Sequence, residues 1–289
     1  YVDRLYSRDE STDNMALPRQ PYDQMVVWLD QEYKELADFF PASYTNPATM
    51  YGHANKGACL ALRARLLLYA ASPLFNGNED YADVVNKDGT PLFSQNKDIK
   101  KWKKAADATR ELLDLAETGV YSLYKEYYSN GNIDPFLSFQ NLFLKTGGDN
   151  KEILFGTAYK NYQWYNRIGN PRGFAGSAGY FGLTQNLVDA FYMKDGTIPI
   201  TGYNEDNSPI INQSSNYAES NFTTADIKYN NTSYNLNSGY ANKSKLGVIT
   251  ESGTFEMYAN REPRFYITLW FDNEYIPLGS RKTNFKSGG

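Results

Sequence analysis

A mainly α fold built from packed helix pairs is what this sequence predicts, and three observations carry the prediction. Residues 58–71 are apolar on almost every face, interrupted only by Arg63 and Arg65, so they read as a helix that other helices must cover. Segments 22–40 and 102–116 carry apolar residues at three- and four-residue spacing, the period of an amphipathic helix. Proline or glycine punctuates each of them, with Pro41 after the first, Ser72-Pro73 after the second and Gly119 after the third.

In chain order, residues 1–19 are polar and without a clear period, and Pro18 and Pro21 bracket the entry to the first helix. Its apolar face is expected to be Met25, Val26, Leu29, Tyr33, Leu36, Phe39 and Phe40. The second helix, about 53–72, opens near Gly57 and the Asn-Lys pair before it. Ser72 stops it, because a residue before proline is pushed out of the helical region. It falls well short of the roughly 18–20 apolar residues of a bilayer span and has two arginines inside it. A loop rich in Asn, Asp and Gly follows over about 73–97. The third helix, within WKKAADATRELLDLAETGVYSL, has the small-residue spacing of a tetratricopeptide-type helix, in which alanines admit a close neighbour. Trp28 and Trp102 are placed in the core.

Beyond the helices, 136–144 suggests a short helix and Glu152–Gly156 a short buried strand or extended segment. Residues 159–182 combine aromatics with five glycines, a composition that favours an extended, irregular loop. Thr184 is placed as the cap of a helix through Leu187, Val188, Phe191 and Met193, ended by Asp195-Gly196. Thr201–Lys245, with ten asparagines and five tyrosines, reads as a long surface excursion. Phe265–Phe271, FYITLWF, reads as a strand with Trp270 near its end.

Composition narrows the function. The formal charge of −4 gives no basic field for phosphates, so nucleic acid is not an expected partner. The one histidine, His53, leaves no His-rich zinc site, and no cofactor is implied. The one cysteine, Cys59, lies in the buried helix as a small core residue. Tyrosine is in surplus, 25 of 289, and serves both core filling and recognition. Asp83–Gly89 lacks the calcium-loop ligand pattern and reads as a turn.

Three segments, GACLALRARLLLYAASPLFNG at 57–77, LVDAFYMKDGTIPI at 187–200 and NREPRFYITL at 260–269, together resemble the SusD/RagB family of outer-membrane glycan-capturing lipoproteins. TGVYSL and NKEILFG between them are similar to the family as well. The resemblance implies tetratricopeptide-like helix pairs with an irregular loop-rich ligand-binding subdomain. It implies one SusD-like domain, with a helical scaffold at 20–120 and a loop-rich subdomain at 150–275. The family's lipidated N-terminal portion and its C-terminal helices are expected to be absent from this chain. Expected partners are an oligosaccharide or polysaccharide and a TonB-dependent outer-membrane transporter, at the cell surface. Contact with the membrane is expected only through a lipid anchor that this chain does not contain.

A glycan site needs flat aromatic faces for sugar rings and amide or guanidinium groups for hydroxyls. Stretch 159–182 supplies both. The resemblance points to Tyr180 and Phe181, just before the helix near Thr184. Trp164 and Tyr165 are upstream candidates, with Asn166, Arg167, Asn170 and Arg172 as hydrogen-bonding partners and Tyr203 further on. The alternative for each aromatic is to pin the glycine-rich stretch to the helical body. Arg261, Glu262 and Arg264 are read as an ion-pair network. Two competing classes stand beside glycan capture: a helical carbohydrate-active enzyme drawing two carboxylates from Asp189, Glu251 and Glu256, and a helical scaffold that binds another protein.

Overall fold

The computed structural model describes residues 5–15, 17–44, 50–145, 150–156, 162–170, 177–229 and 247–275. The chain divides into two units, residues 1–123 with 146–158 and residues 124–145 with 159–289. Among the described residues no helix is long and apolar enough to cross a membrane.

The first unit is organised on three helices: α2 (Tyr22–Phe39), preceded by a single turn α1 (Thr12–Met15), then α3 (Lys56–Ala71) and α4 (Lys100–Glu117). The Asn55 side chain caps α3 by accepting from the Ala58 amide at 2.8 Å, satisfying one of the donors a helix start leaves open. Small residues let the helices approach closely. Val26, Ala64, Leu67, Ala70, Ala105 and Ala108 form one cluster, and Ala37, Cys59 and Leu60 form another. Arg63 is buried among them and reaches Asp30 of α2 at 2.6 Å and Glu111 of α4 at 2.5 Å. Asn76, also buried, exchanges two hydrogen bonds of 2.9 Å with the Asp98 backbone and so ties the end of α3 to the start of α4.

The expected helices are present, but their burial differs. Leu62, Leu68 and Tyr69 of α3 are about half exposed, so α2 and α4 cover only part of its circumference. On α2 only Val26 and Ala37 are buried. Trp28 and Trp102, expected in the core, are 37% and 44% exposed, because the alanine-lined contact faces point elsewhere on their helices. Glu152–Gly156 is a turn and bend rather than a strand.

Among the described residues the second unit holds three two-stranded antiparallel ladders: β1 (Glu126–Tyr127) with β2 (Ile133–Asp134), β3 (Ile200–Tyr203) with β4 (Pro209–Ile211), and β5 (Ile227–Lys228) with β6 (Val248–Thr250). Its helices are α5 (Pro135–Leu144), α6 (Tyr162–Gly169), α7 (Gln185–Ala190) and α8 (Pro263–Thr268). Phe136, Ile249, Phe265, Tyr266, Leu269 and Phe271 lie in its core.

Four sequence-based expectations are corrected here. Residues 263–268 are helical, not a strand. Pro263 sits at the first helical position, where its preset φ and missing N–H suit a helix, and Phe265, Tyr266 and Leu269 are buried at helical rather than alternating spacing. The glycine-rich stretch contains α6. The segment 201–229 is not an unbroken excursion, since β3 and β4 close a hairpin whose turn has Asn207 at a φ of 63°. Finally, α7 ends at Ala190, before Met193, and Thr184 makes no side-chain cap.

Candidate functional site

Trp164 and Arg167 lie on α6 and are exposed, Trp164 to 55%. The last carbonyls of a helix need partners from outside it. Here the Ala178 amide donates to the Arg167 carbonyl at 2.7 Å and the Tyr180 amide to the Ile168 carbonyl at 3.1 Å. These two bonds clamp residues 178–180 along the end of α6. Ile168 is one helical turn beyond Trp164 on the same face, and the Tyr180 amide is held at that end of the helix. Gly179, at a φ of 60°, makes the bend between the two bonded amides. Tyr180 and Phe181 then project into solvent, 66% and 69% exposed, followed by Leu183 at 50%. The result is a strip of exposed aromatic faces, with the Arg167 guanidinium on the same helix and Asn170 half-buried just past its end.

The elements that follow are tied together by buried polar contacts. Asp189 of α7 is 4% exposed and accepts from Gln185 at 2.8 Å and from the Tyr203 hydroxyl at 2.9 Å, which ties β3 to α7. The bond to Asp189 holds the Tyr203 hydroxyl above its ordinary pKa. Arg261, fully buried, donates to the Val188, Phe191 and Met257 carbonyls, the last two at 3.1 and 3.4 Å, and lies over the rings of Phe265 and Tyr217 at 4.8 and 5.3 Å. Burial lowers its pKa. Expected in an ion-pair network, Arg261 instead satisfies the end of α7 through carbonyls, while Arg264 alone pairs with Glu262 at 2.6 Å.

Trp164 and Arg167 are exposed on α6, Tyr180 and Phe181 are exposed on the segment bonded to its end, and Asn170 is half-buried just past that end. Tyr165 and Asn166 lie on α6. Arg172 lies outside the described residues. Tyr203 keeps a ring 42% exposed, but its hydroxyl is committed to Asp189. Leu183 and Leu187 extend the exposed surface and were not among the expected site residues. Their four-residue spacing next to Phe181 was the available signal, and Leu187, expected on the helix after Thr184, is 41% exposed. Chemically the strip offers stacking faces and hydrogen-bond donors on a backbone held by helix ends. Among the described residues no group of three or more His, Cys, Asp or Glu side chains is placed to hold a metal ion.

Residues 151–284 match the SusD family model. A comparison with curated proteins returned no match. Among solved structures, BT4246 is similar at 26% identity with a TM-score of 0.60, over 94% of this chain and 45% of that one. Its selenomethionine form is similar at 24% identity and a TM-score of 0.58, over 92% of this chain and 45% of that one. A SusD-like protein of Bacteroides fragilis NCTC 9343, BF3747, shares the fold at 21% identity and a TM-score of 0.50, over 92% of this chain and 37% of that one. The chain therefore spans less than half the length of these relatives. The family match over 151–284 and the helical fold shared with these structures both support the resemblance to the SusD/RagB family.

Proposed function

We propose that this protein captures an oligosaccharide or polysaccharide at the cell surface and passes it to a TonB-dependent outer-membrane transporter. The observation that carries the reading is the exposed strip of Trp164, Tyr180 and Phe181 clamped along the end of α6. Sugar rings present an apolar C–H face that stacks on such rings, and in this reading Arg167 and Asn170 meet the hydroxyls. Tyr165, Arg172 and Tyr203 complete the proposed ligand-binding set. The match of residues 151–284 to the SusD family model supports a glycan-binding role in nutrient uptake, and with it the outer-membrane location and lipid anchor of the whole protein. In this reading the helices of 20–120 serve as the scaffold and 150–275 carries the ligand. Binding is favoured over catalysis because Asp189, the most buried of the three candidate carboxylates, is engaged by Gln185 and Tyr203.

The test is a glycan panel run by affinity electrophoresis on the wild-type chain and on Trp164→Ala and Tyr180→Ala, with circular dichroism as the folding control. Retardation by at least one glycan that weakens about tenfold or more in either variant is expected, since base–aromatic stacking of comparable area contributes about 1–3 kcal/mol per ring. Binding that both variants retain in full would remove the strip from the function.

A further inference from the structure

Apart from the strip, the first unit contains a cavity of about 190 Å³ at the N-terminal end of α3. Its walls include the rings of Tyr44, Tyr51, His53 and Phe155, and Asn55 and Lys151 line it as well. This volume is below the roughly 300–1,000 Å³ of sites for drug-sized molecules, so it suits one ring rather than a run of linked residues.

The polar wall is held by its own hydrogen bonds. Asn55 donates to the Leu154 carbonyl at 2.8 Å while its side-chain oxygen accepts from the Ala58 amide, and the buried Tyr121 hydroxyl lies between that oxygen at 3.1 Å and the Ala42 carbonyl at 2.8 Å. Tyr44 donates to the Ala54 carbonyl at 2.5 Å, which holds its ring edge-on to His53 at 6.1 Å. Gly156 makes room for the Tyr51 ring, since a Cβ there would stand 2.0 Å from the Tyr51 hydroxyl oxygen. Three groups keep capacity for a ligand. The Tyr51 hydroxyl and the His53 imidazole have no side-chain partner among the described residues, and the Lys151 ammonium spends one of its three N–H groups on the Gly119 carbonyl at 2.9 Å.

Charge narrows the ligand further. Among the described residues no Asp or Glu lines the cavity and Lys151 is the one permanently charged lining side chain, and α3 has no acid in its first turn. A helix start and an ammonium group both favour an anion, and a carboxylate is met by charge-assisted hydrogen bonds from Lys151 and Tyr51. We propose that this cavity is a second ligand site that takes a single sugar ring bearing a carboxylate, a uronate. The assignment stands on this cavity alone and is independent of the aromatic strip.

His53 is the chain's one histidine, so its imidazole C–H resonances are a unique NMR reporter inside the cavity. The whole chain is titrated with methyl glucuronide and methyl galacturonide, and with the matching neutral methyl glucoside and methyl galactoside. Expected is a saturable His53 shift with at least one uronate and about tenfold weaker binding of its neutral counterpart, the factor one charge-assisted contact supplies. Lys151→Ala should erase that preference, and Trp164→Ala with Tyr180→Ala should leave the shift in place. No His53 shift with any of the four sugars, or equal affinity for the charged and neutral rings, would overturn the assignment. Sugar binding that the strip variants abolish and His53 does not sense would also overturn it, while leaving the strip as the glycan site.

Discussion

Replacing Arg63 with alanine should destabilise the protein by about 3 kcal/mol. Arg63 is 8% exposed at the centre of α3 and is the ionic link from that helix to both α2 and α4, through Asp30 at 2.6 Å and Glu111 at 2.5 Å. Burial works against its charge, but the hydrogen bonds it donates to the two carboxylates outweigh it and carry its pKa above the ordinary value. A hydrogen bond to a charged partner contributes about 1.5–3 kcal/mol. The lower end applies to each here, because the Asp30 and Glu111 side chains are 31% and 44% exposed and can be hydrated once Arg63 is gone. Two such bonds lost, with some packing of the alkyl stem, give about 3 kcal/mol for Arg63→Ala. Arg63→Met keeps the stem and should lose about 2 kcal/mol. The assay is urea unfolding at pH 7 followed by far-ultraviolet circular dichroism, with the slopes compared to confirm that both variants unfold from the same state. A double-mutant cycle with Asp30→Ala should show a coupling of about 1 kcal/mol. A loss below about 0.5 kcal/mol, the range of an ordinary surface change, would refute the bridging role.

Two further outcomes follow from packing and from charge. Gly57→Ala should destabilise by about 1–2 kcal/mol in the same urea assay, because the new Cβ would stand 2.5 Å from the Tyr121 hydroxyl oxygen and 2.6 Å from its ring. The overpacking outweighs the gain of about 1 kcal/mol in helix propensity. A stabilised variant would contradict it. Glu274 is 2% exposed, and burial pushes its carboxyl well above the ordinary range. Its proton is retained in the folded state while the unfolded chain ionises above its own pKa of about 4.3, so this group removes stability as pH rises from there toward the folded pKa. Glu274→Gln should therefore raise Tm relative to wild type more at pH 7 than at pH 4. An equal offset at both pH values would show that the carboxyl is already ionised in the fold.

What the sequence by itself determined is the part of the fold whose signal is local. The three long helices follow from apolar residues at three- and four-residue spacing, and their ends follow from Asn55, Pro73 and Gly119, because capping, proline sterics and a positive φ act within a few residues. Tyr180 and Phe181 were legible as site candidates through the family segment that follows them. The tertiary structure decided the rest, since burial depends on neighbours far away in the chain. FYITLWF has strand composition, yet Pro263 and the packing of Phe265, Tyr266 and Leu269 into one core make it a helix and a short extension. Trp28 and Trp102 satisfy a helical period but face away from the alanine contacts. Arg261 reads as an ion-pair partner, and only the arrival of three backbone carbonyls from 188–191 and 257 turns it into a buried pin. The cavity beside His53 is assembled from residues 43–44, 50–55, 120–121 and 150–156, stretches that no spacing rule connects. Periodicity reports which residues share a face, and only the assembled neighbours determine what that face meets.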